Sequence, residues 1–397
     1  MWRPALLAAL VALASGLHAQ DQTAPAVELT VAGPPISAEA TGQAFLYRTP
    51  PSESAADRGG ASSQQWSMLG REDKAALIDN EYGTAFCPQL NPSASGESAV
   101  LARIVAEARA HRVVIINESH VVSRHRDFSR EVMAALRPLG YSVLAAETFA
   151  NTHEPNQDPV DVDTGLPFVH QSLGYYSREP VFAALLREAK SLGYRFAAYE
   201  QVYDPDRVRP ASNGDWRIDI RDRETEQAQN LAAILSAMSP AEKLIVHVGY
   251  SHARETVVIE KDGWEDAWMA ARLKRITGID PLTIDQTYCH GSSDTVRLAP
   301  PSADKQGWFD LNVDHPVVQF RHGRPEWRFA SGQLPIAIPE SLRPTEGPLV
   351  IEAFAEGEAD TAVPVDRIWI EPGEDLRLAL PPGRYRVRAV RPAPSGD

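Results

Sequence analysis

The chain has 397 residues, with 39 Lys plus Arg against 53 Asp plus Glu and a formal net charge of −14. Hydrophobic residues at 43% and charged residues at 23% describe a globular protein of two or three folding units, not a disordered one. The acidic balance, without a dense basic cluster, disfavours nucleic acid as a partner and argues against electrostatic docking to anionic lipid.

The first residues, MWRPALLAALVALASGLHAQ, carry one early Arg, an apolar run from Ala5 to about Ala14 and then small residues. This pattern predicts a signal peptide over residues 1–19, cleaved after Ala19, and a secreted or periplasmic mature chain. The apolar run is too short to span a bilayer, so no membrane span is expected in the mature chain. Residues 20–64 are rich in Pro, Ala, Ser, Gly and Thr and read as a low-complexity linker, followed by a lead-in over 65–96. The two cysteines, Cys87 and Cys289, are open to either a single long-range disulfide or two buried thiols.

From Glu97 the character changes. Leu101, Ile104, Val105 and Ala108 repeat at helical spacing and lead into the apolar run RVVIIN. Helical stripes then alternate with the strand candidates SVLAAE, RFAAYE, KLIVHVGYSH and LTIDQTY. This alternation predicts an α/β domain over 97–300, with about five strands in a mainly parallel sheet and helices on both faces. A Pro-rich connection over 301–339 and a small antiparallel β domain over 340–397 are expected to follow, the latter marked by Pro-Gly turns between short alternating runs.

In an open parallel sheet ligands bind beyond the carboxyl ends of the strands. Those ends deliver Glu118 and His120, then Glu147, Glu200 and His252, with Asp285 or Gln286 on the fifth. A single strand-end carboxylate is usually a solvated loop residue, but four consecutive ends bearing a carboxylate or imidazole point to a site. Two long segments leave the same edge. One, from Ala150 to about Pro180, carries His153, His170, Tyr175 and Tyr176; the other, from Gln201 to about Ile220, carries Tyr203, Arg207 and Trp216. Segments of this kind read as lids over a small-molecule or peptide substrate.

The motifs NESH at Asn117–His120, the strand ending at Glu147, GYSH at Gly249–His252 and RDRETEQAQNL at Arg221–Leu231 together resemble the ChaN/TIKI/erythromycin-esterase-like superfamily. The resemblance covers about half of the chain, and the Glu-x-His spacing is closest to the ChaN-like, haem-binding uptake branch. Two departures stand out: Asn117 replaces the expected glycine, and erythromycin esterases place one more residue between Glu and His. The superfamily contains haem binders, metal-dependent peptidases and esterases, so the resemblance implies a set of chemistries and not one.

Four readings of the residues follow. His120 is a general base held by Glu118 or Glu147, with His252 or Arg221 stabilising developing charge. Alternatively His120 and His252, with one or two of Glu118, Glu147 and Glu200, ligate zinc, manganese or iron. The ChaN-like resemblance implies instead haem binding, with Tyr175, Tyr176 or His170 as axial ligand. Last, GYSHA is a variant nucleophile elbow with Ser251 as nucleophile and Asp285 and His290 as its partners. His125 and Arg124 start the helix after the first strand, where they could approach the site, with a solvated first turn preferred for His125; His247 is read as a core residue or a support to the site.

Overall fold

A computed structural model describes residues 26–50, 61–83, 92–151, 159–202, 215–300 and 305–393. The expected signal peptide lies outside them, as do Cys87, His153, Tyr203 and Arg207. Cys289 is buried and disulfide-bonded. Among the described residues no helix is long and apolar enough to cross a membrane.

The run VVIINE forms the strand Val113–Glu118, buried at every position. Its β-branched residues suit a strand, and the lack of polar alternation suits one covered on both faces. Successive side chains do point to opposite layers. Val114 and Ile116 pack with Val100 and Ile104 of helix Glu97–Ala108 and Phe128 and Val132 of helix Ser123–Leu136. Val113 and Ile115 pack with Ala228 and Leu231 of helix Trp216–Ala237 and Leu273 of helix Met269–Thr277. Each fully buried Val, Ile or Leu contributes roughly 1.5–3 kcal/mol.

The protein is therefore α/β, with an eight-stranded, mainly parallel sheet. Six neighbouring strands run parallel in the order Leu311–Asp314, Leu282–Asp285, Val113–Glu118, Lys243–Gly249, Tyr141–Ala146 and Arg195–Ala197. Arg297–Ala299 and Ala94–Ser95 close one edge in antiparallel pairing. The strand Leu311–Asp314 falls in the stretch expected to be a connection, so the sheet continues past residue 300. Its weak local signal is completed only by pairing with Leu282–Asp285.

A second sheet contains Gly383–Arg391, Leu349–Ala355 and Asp366–Ile370 in antiparallel order. Its far edge is Val27–Val31, parallel to Gly383–Arg391. Within the expected linker, Val27–Val31 and Ile36–Ser37 thus join the C-terminal sheet. Tyr47 is buried and donates to Glu352 Oε1 at 2.9 Å. A stretch poor in local periodicity acquires strand structure here because the partner strand supplies its hydrogen bonds.

This second sheet also grips the first domain. Val363 N–H donates to the Val169 carbonyl at 2.9 Å, Gln171 N–H donates to Thr361 at 2.9 Å, and Arg187 forks onto Glu358 at 3.0 and 2.8 Å. The segment so anchored continues into Tyr175 and Tyr176. Gly174 bonds across to Phe149, where a Cβ would lie 1.6 Å from the Thr148 carbonyl oxygen, so only glycine lets the two backbones meet.

Candidate functional site

Glu118 closes its strand with a buried carboxylate. Arg126, itself fully buried in the helix that follows, donates from Nε to Oε2 at 2.8 Å and from Nη2 to Oε1 at 2.9 Å. The fork is a charge-assisted, bidentate pair. Its remaining arm donates to Glu179 Oε2 at 3.2 Å, and Glu179 also caps helix Pro180–Ser191 by accepting from Val181 and Phe182. Burial alone would raise the Glu118 carboxyl, but Arg126, the hydrogen bond from His120 and nearby His247 hold it far below the usual carboxylate range. An arginine in a first helical turn opposes the helix dipole; this carboxylate gives it a reason to be there.

His120 Nδ1 donates to Glu118 Oε1 at 3.0 Å. The bond assigns the Nδ1–H tautomer and leaves Nε2 with its lone pair free. Tyr176 stacks on the imidazole at 3.9 Å and Tyr250 meets it edge-on at 5.0 Å. The far side of the ring lies against Gly249, where a Cβ would come within 2.4 Å of His120 Cε1 and 2.5 Å of Nε2. Glycine at 249 is what gives His120 its place.

The next wall is built on Glu147. Its Oε2 accepts from Gly249 N–H at 2.6 Å and its Oε1 from Arg223 Nη2 at 2.7 Å. Burial would raise this carboxyl too, yet His252, His120 and Arg223 bring it down to about 2. Arg223 also clamps Glu200, from Nε at 3.0 Å and Nη2 at 2.5 Å, and its Nη1 faces His252 Nε2 at 3.3 Å. His252 Nδ1 lies 2.6 Å from Glu224 Oε1. Burial would lower this imidazole, while Glu224 and Glu147 raise it. Trp268 covers His252 edge-on and also lines a cavity of about 330 Å³ with Trp216 and Trp264.

Asn117 is a brace. Its amide donates to the Tyr250 carbonyl at 2.9 Å and to Asp285 Oδ1 at 2.7 Å, while its oxygen accepts from Gln286 N–H at 2.6 Å. Tyr250 has φ of 44°, a left-handed conformation that a bulky residue adopts only when its surroundings hold it. Asp285 and Gln286 are fully buried and support this turn from beneath.

The structure brings Glu118, His120, Glu147, Glu200 and His252 together and leaves Arg221 out. Arg221 is exposed, pairs with Asp222 at 3.0 Å and lies over Trp264. Two helical positions later Arg223 points to the opposite side and enters the site. His125 and Arg124 are not solvated: both are buried, and His125 Nδ1 accepts from Ser119 N–H at 3.0 Å. Burial pushes His125 down to about 3. Of the residues expected as haem ligands, Tyr176 is a wall of the His120 site. Tyr175 stacks on Phe45 at 6.3 Å, and His170 Nδ1 is engaged by Ser172. Ser251 lies 2.9 Å from Tyr288 OH, while His290 Nδ1 donates to the Gly83 carbonyl at 3.0 Å; the expected nucleophile, acid and base find other partners.

The proposed metal ligands do not fit a divalent ion. Glu118 is forked by Arg126, and Glu147 and Glu200 share Arg223, so an added cation would face guanidinium charge at every carboxylate. Among the described residues no group of three or more His, Cys, Asp or Glu is arranged to hold a metal. Residues given no role above are Arg126, Glu179 and Glu81, together with Arg223, Glu224 and Tyr250, which lie inside the quoted motifs. The first-turn arginine was a readable signal for Arg126; the others come together only through packing.

No family model matches the chain, and no curated protein matches it. Solved structures similar to it include a bacterial protein toxin, at 17% identity and a TM-score of 0.35, covering 50% of this chain and 38% of that one. The type III effector HopBA1 matches at 14% identity and a TM-score of 0.34, over 58% of this chain and 98% of that one. RRSP, a MARTX toxin effector domain from Vibrio vulnificus, matches at 15% identity and a TM-score of 0.32, over 63% of this chain and 48% of that one.

Proposed function

We propose that the protein is an extracytoplasmic hydrolase that activates water on an ester or amide bond without a metal, one of the chemistries that its resemblance to the ChaN/TIKI/erythromycin-esterase-like superfamily allows. The observation that carries this reading is His120, with Nδ1 on buried Glu118 and Nε2 turned toward Gly249 and Glu147. Nε2 takes a proton from water as the oxygen attacks the carbonyl carbon, and Glu118 stabilises the imidazolium so formed. Arg223 and His252, across Glu147, balance negative charge that develops on the carbonyl oxygen. The proton on His120 then passes to the leaving oxygen or nitrogen as the bond breaks. The Trp-lined cavity beside His252 offers room for a side group of the substrate.

The test is hydrolysis of p-nitrophenyl esters and of a fluorogenic peptide-amide library by the mature protein, before and after chelation. His120→Ala is expected to lower kcat/KM by about 10²–10⁴-fold, with chelation leaving the parent unchanged. Activity that survives His120→Ala, or that chelation removes and added metal restores, would overturn the reading.

A further inference from the structure

Four carboxylates of the site are each matched by a cation. Glu118 has Arg126, Glu147 and Glu200 have Arg223, and Glu224 lies against His252. Glu81 enters from the N-terminal segment, far from the strand-end motifs, and has no ion pair among the described residues. Its Oε1 accepts from Tyr250 OH at 3.0 Å, and its Oε2 is buried without a hydrogen-bond partner among them. The same Tyr250 oxygen accepts the His120 main-chain N–H at 3.3 Å and lies 3.5 Å from Ser119 Oγ. The segment is fixed in place on the His120 loop: Ser67 Oγ donates to the Val121 carbonyl at 2.7 Å and Tyr82 OH to the same carbonyl at 2.8 Å.

We propose that Glu81 is a positioning residue of the His120 site, acting through the Tyr250 hydroxyl to set the main-chain position and the electrostatic environment of His120. A buried carboxyl with no cation carries its proton to higher pH than its neighbours do. Burial and Asp79 push Glu81 up to about 7, with Glu118 adding to the rise and the Tyr250 hydroxyl and His120 opposing it. Below that pH the group is neutral; above it, a negative charge appears across the Tyr250 hydroxyl from His120. The idea rests on His120 being the reacting group, but its test needs no substrate, so failure of the hydrolase reading and failure of this one are separable.

The measurement is a histidine-ring ¹⁵N NMR titration of the mature chain, with His120 assigned from the spectrum of His120→Ala. In the parent, the His120 resonances are expected to show an additional inflection near pH 7 as Glu81 ionises. Glu81→Gln should abolish it while the His252 resonances keep their parent positions. Tyr250→Phe removes a hydrogen bond that favours the carboxylate, so the inflection should move to higher pH. A His120 curve in Glu81→Gln that superimposes on the parent overturns the proposal, as does an inflection that Tyr250→Phe leaves unmoved.

Discussion

Arg221 and Arg223 lie on one helix and differ only in the face they occupy, yet the sheet makes one of them central. Arg223 neutralises Glu147 and Glu200, both partly or fully withdrawn from water, while Arg221 meets Asp222 in solvent. Exposed pairs are worth about 0–1 kcal/mol, whereas breaking a buried pair strands a charge and costs about 3–5 kcal/mol. Because Arg223 is partly exposed, its removal is expected to cost less than a fully buried pair, about 2–3 kcal/mol, against a change within about 0.5 kcal/mol for Arg221→Ala. Urea unfolding of the two variants side by side checks this, and equal midpoints would refute the assignment. The sequence made the strand-end residues Glu118, His120, Glu147 and His252 legible because a parallel strand delivers its last residue to a known edge. It did not separate the two arginines, since the helix phase relative to the sheet is a property of packing.

At the scale of elements, the decisive feature is strand order. Lys243–Gly249 lies between Val113–Glu118 and Tyr141–Ala146, so Gly249 pairs with Glu118 on one side while its N–H reaches Glu147 from the other. The late strand thereby inserts His252 and a side-chain-free position between two carboxylates that come early in the chain. Gly249 has an ordinary φ of −82°, so its need for glycine is steric and not conformational. Gly249→Ala is expected to displace the imidazole of His120 and cost about 1–3 kcal/mol by overpacking. A shift of the His120 ring resonances with the sheet's far-ultraviolet circular dichroism preserved would bear this out; an unmoved ring would refute it. Helix and strand types were readable from periodicity, but the insertion of the fourth strand between the first two was not.

Over the whole molecule, the C-terminal sheet is tied into the site through the segment that it anchors. Val363 and Thr361 hold residues Val169–Gln171, and the chain then runs to Tyr176 on the face of His120. Trp66 and Trp369 pack edge-on at 5.7 Å, in a core shared with Val121, Val122 and Val390, so N-terminal segment, site loop and C-terminal sheet form one apolar unit. Stability of this assembly depends on ionised buried carboxylates. Glu147, brought down to about 2 in the folded state, binds fewer protons there than when unfolded. Its contribution is complete above the ordinary value of 4.5 and is lost as pH falls toward about 2, a loss of ~3 kcal/mol. Urea midpoints measured down this range should fall in the parent and fall less in Glu147→Gln; parallel curves would remove Glu147 from the account.

By itself the sequence determined the α/β class, the parallel sheet and the strand ends that bear Glu118, His120, Glu147, Glu200 and His252, because hydrophobic period and strand termination are local properties. The tertiary structure alone decided which cations face those carboxylates, what Asn117 braces, and how Glu81 and Tyr176 reach His120. These are contacts between segments far apart in the chain, fixed by strand order and by burial of opposite charges against one another, and no local pattern encodes them.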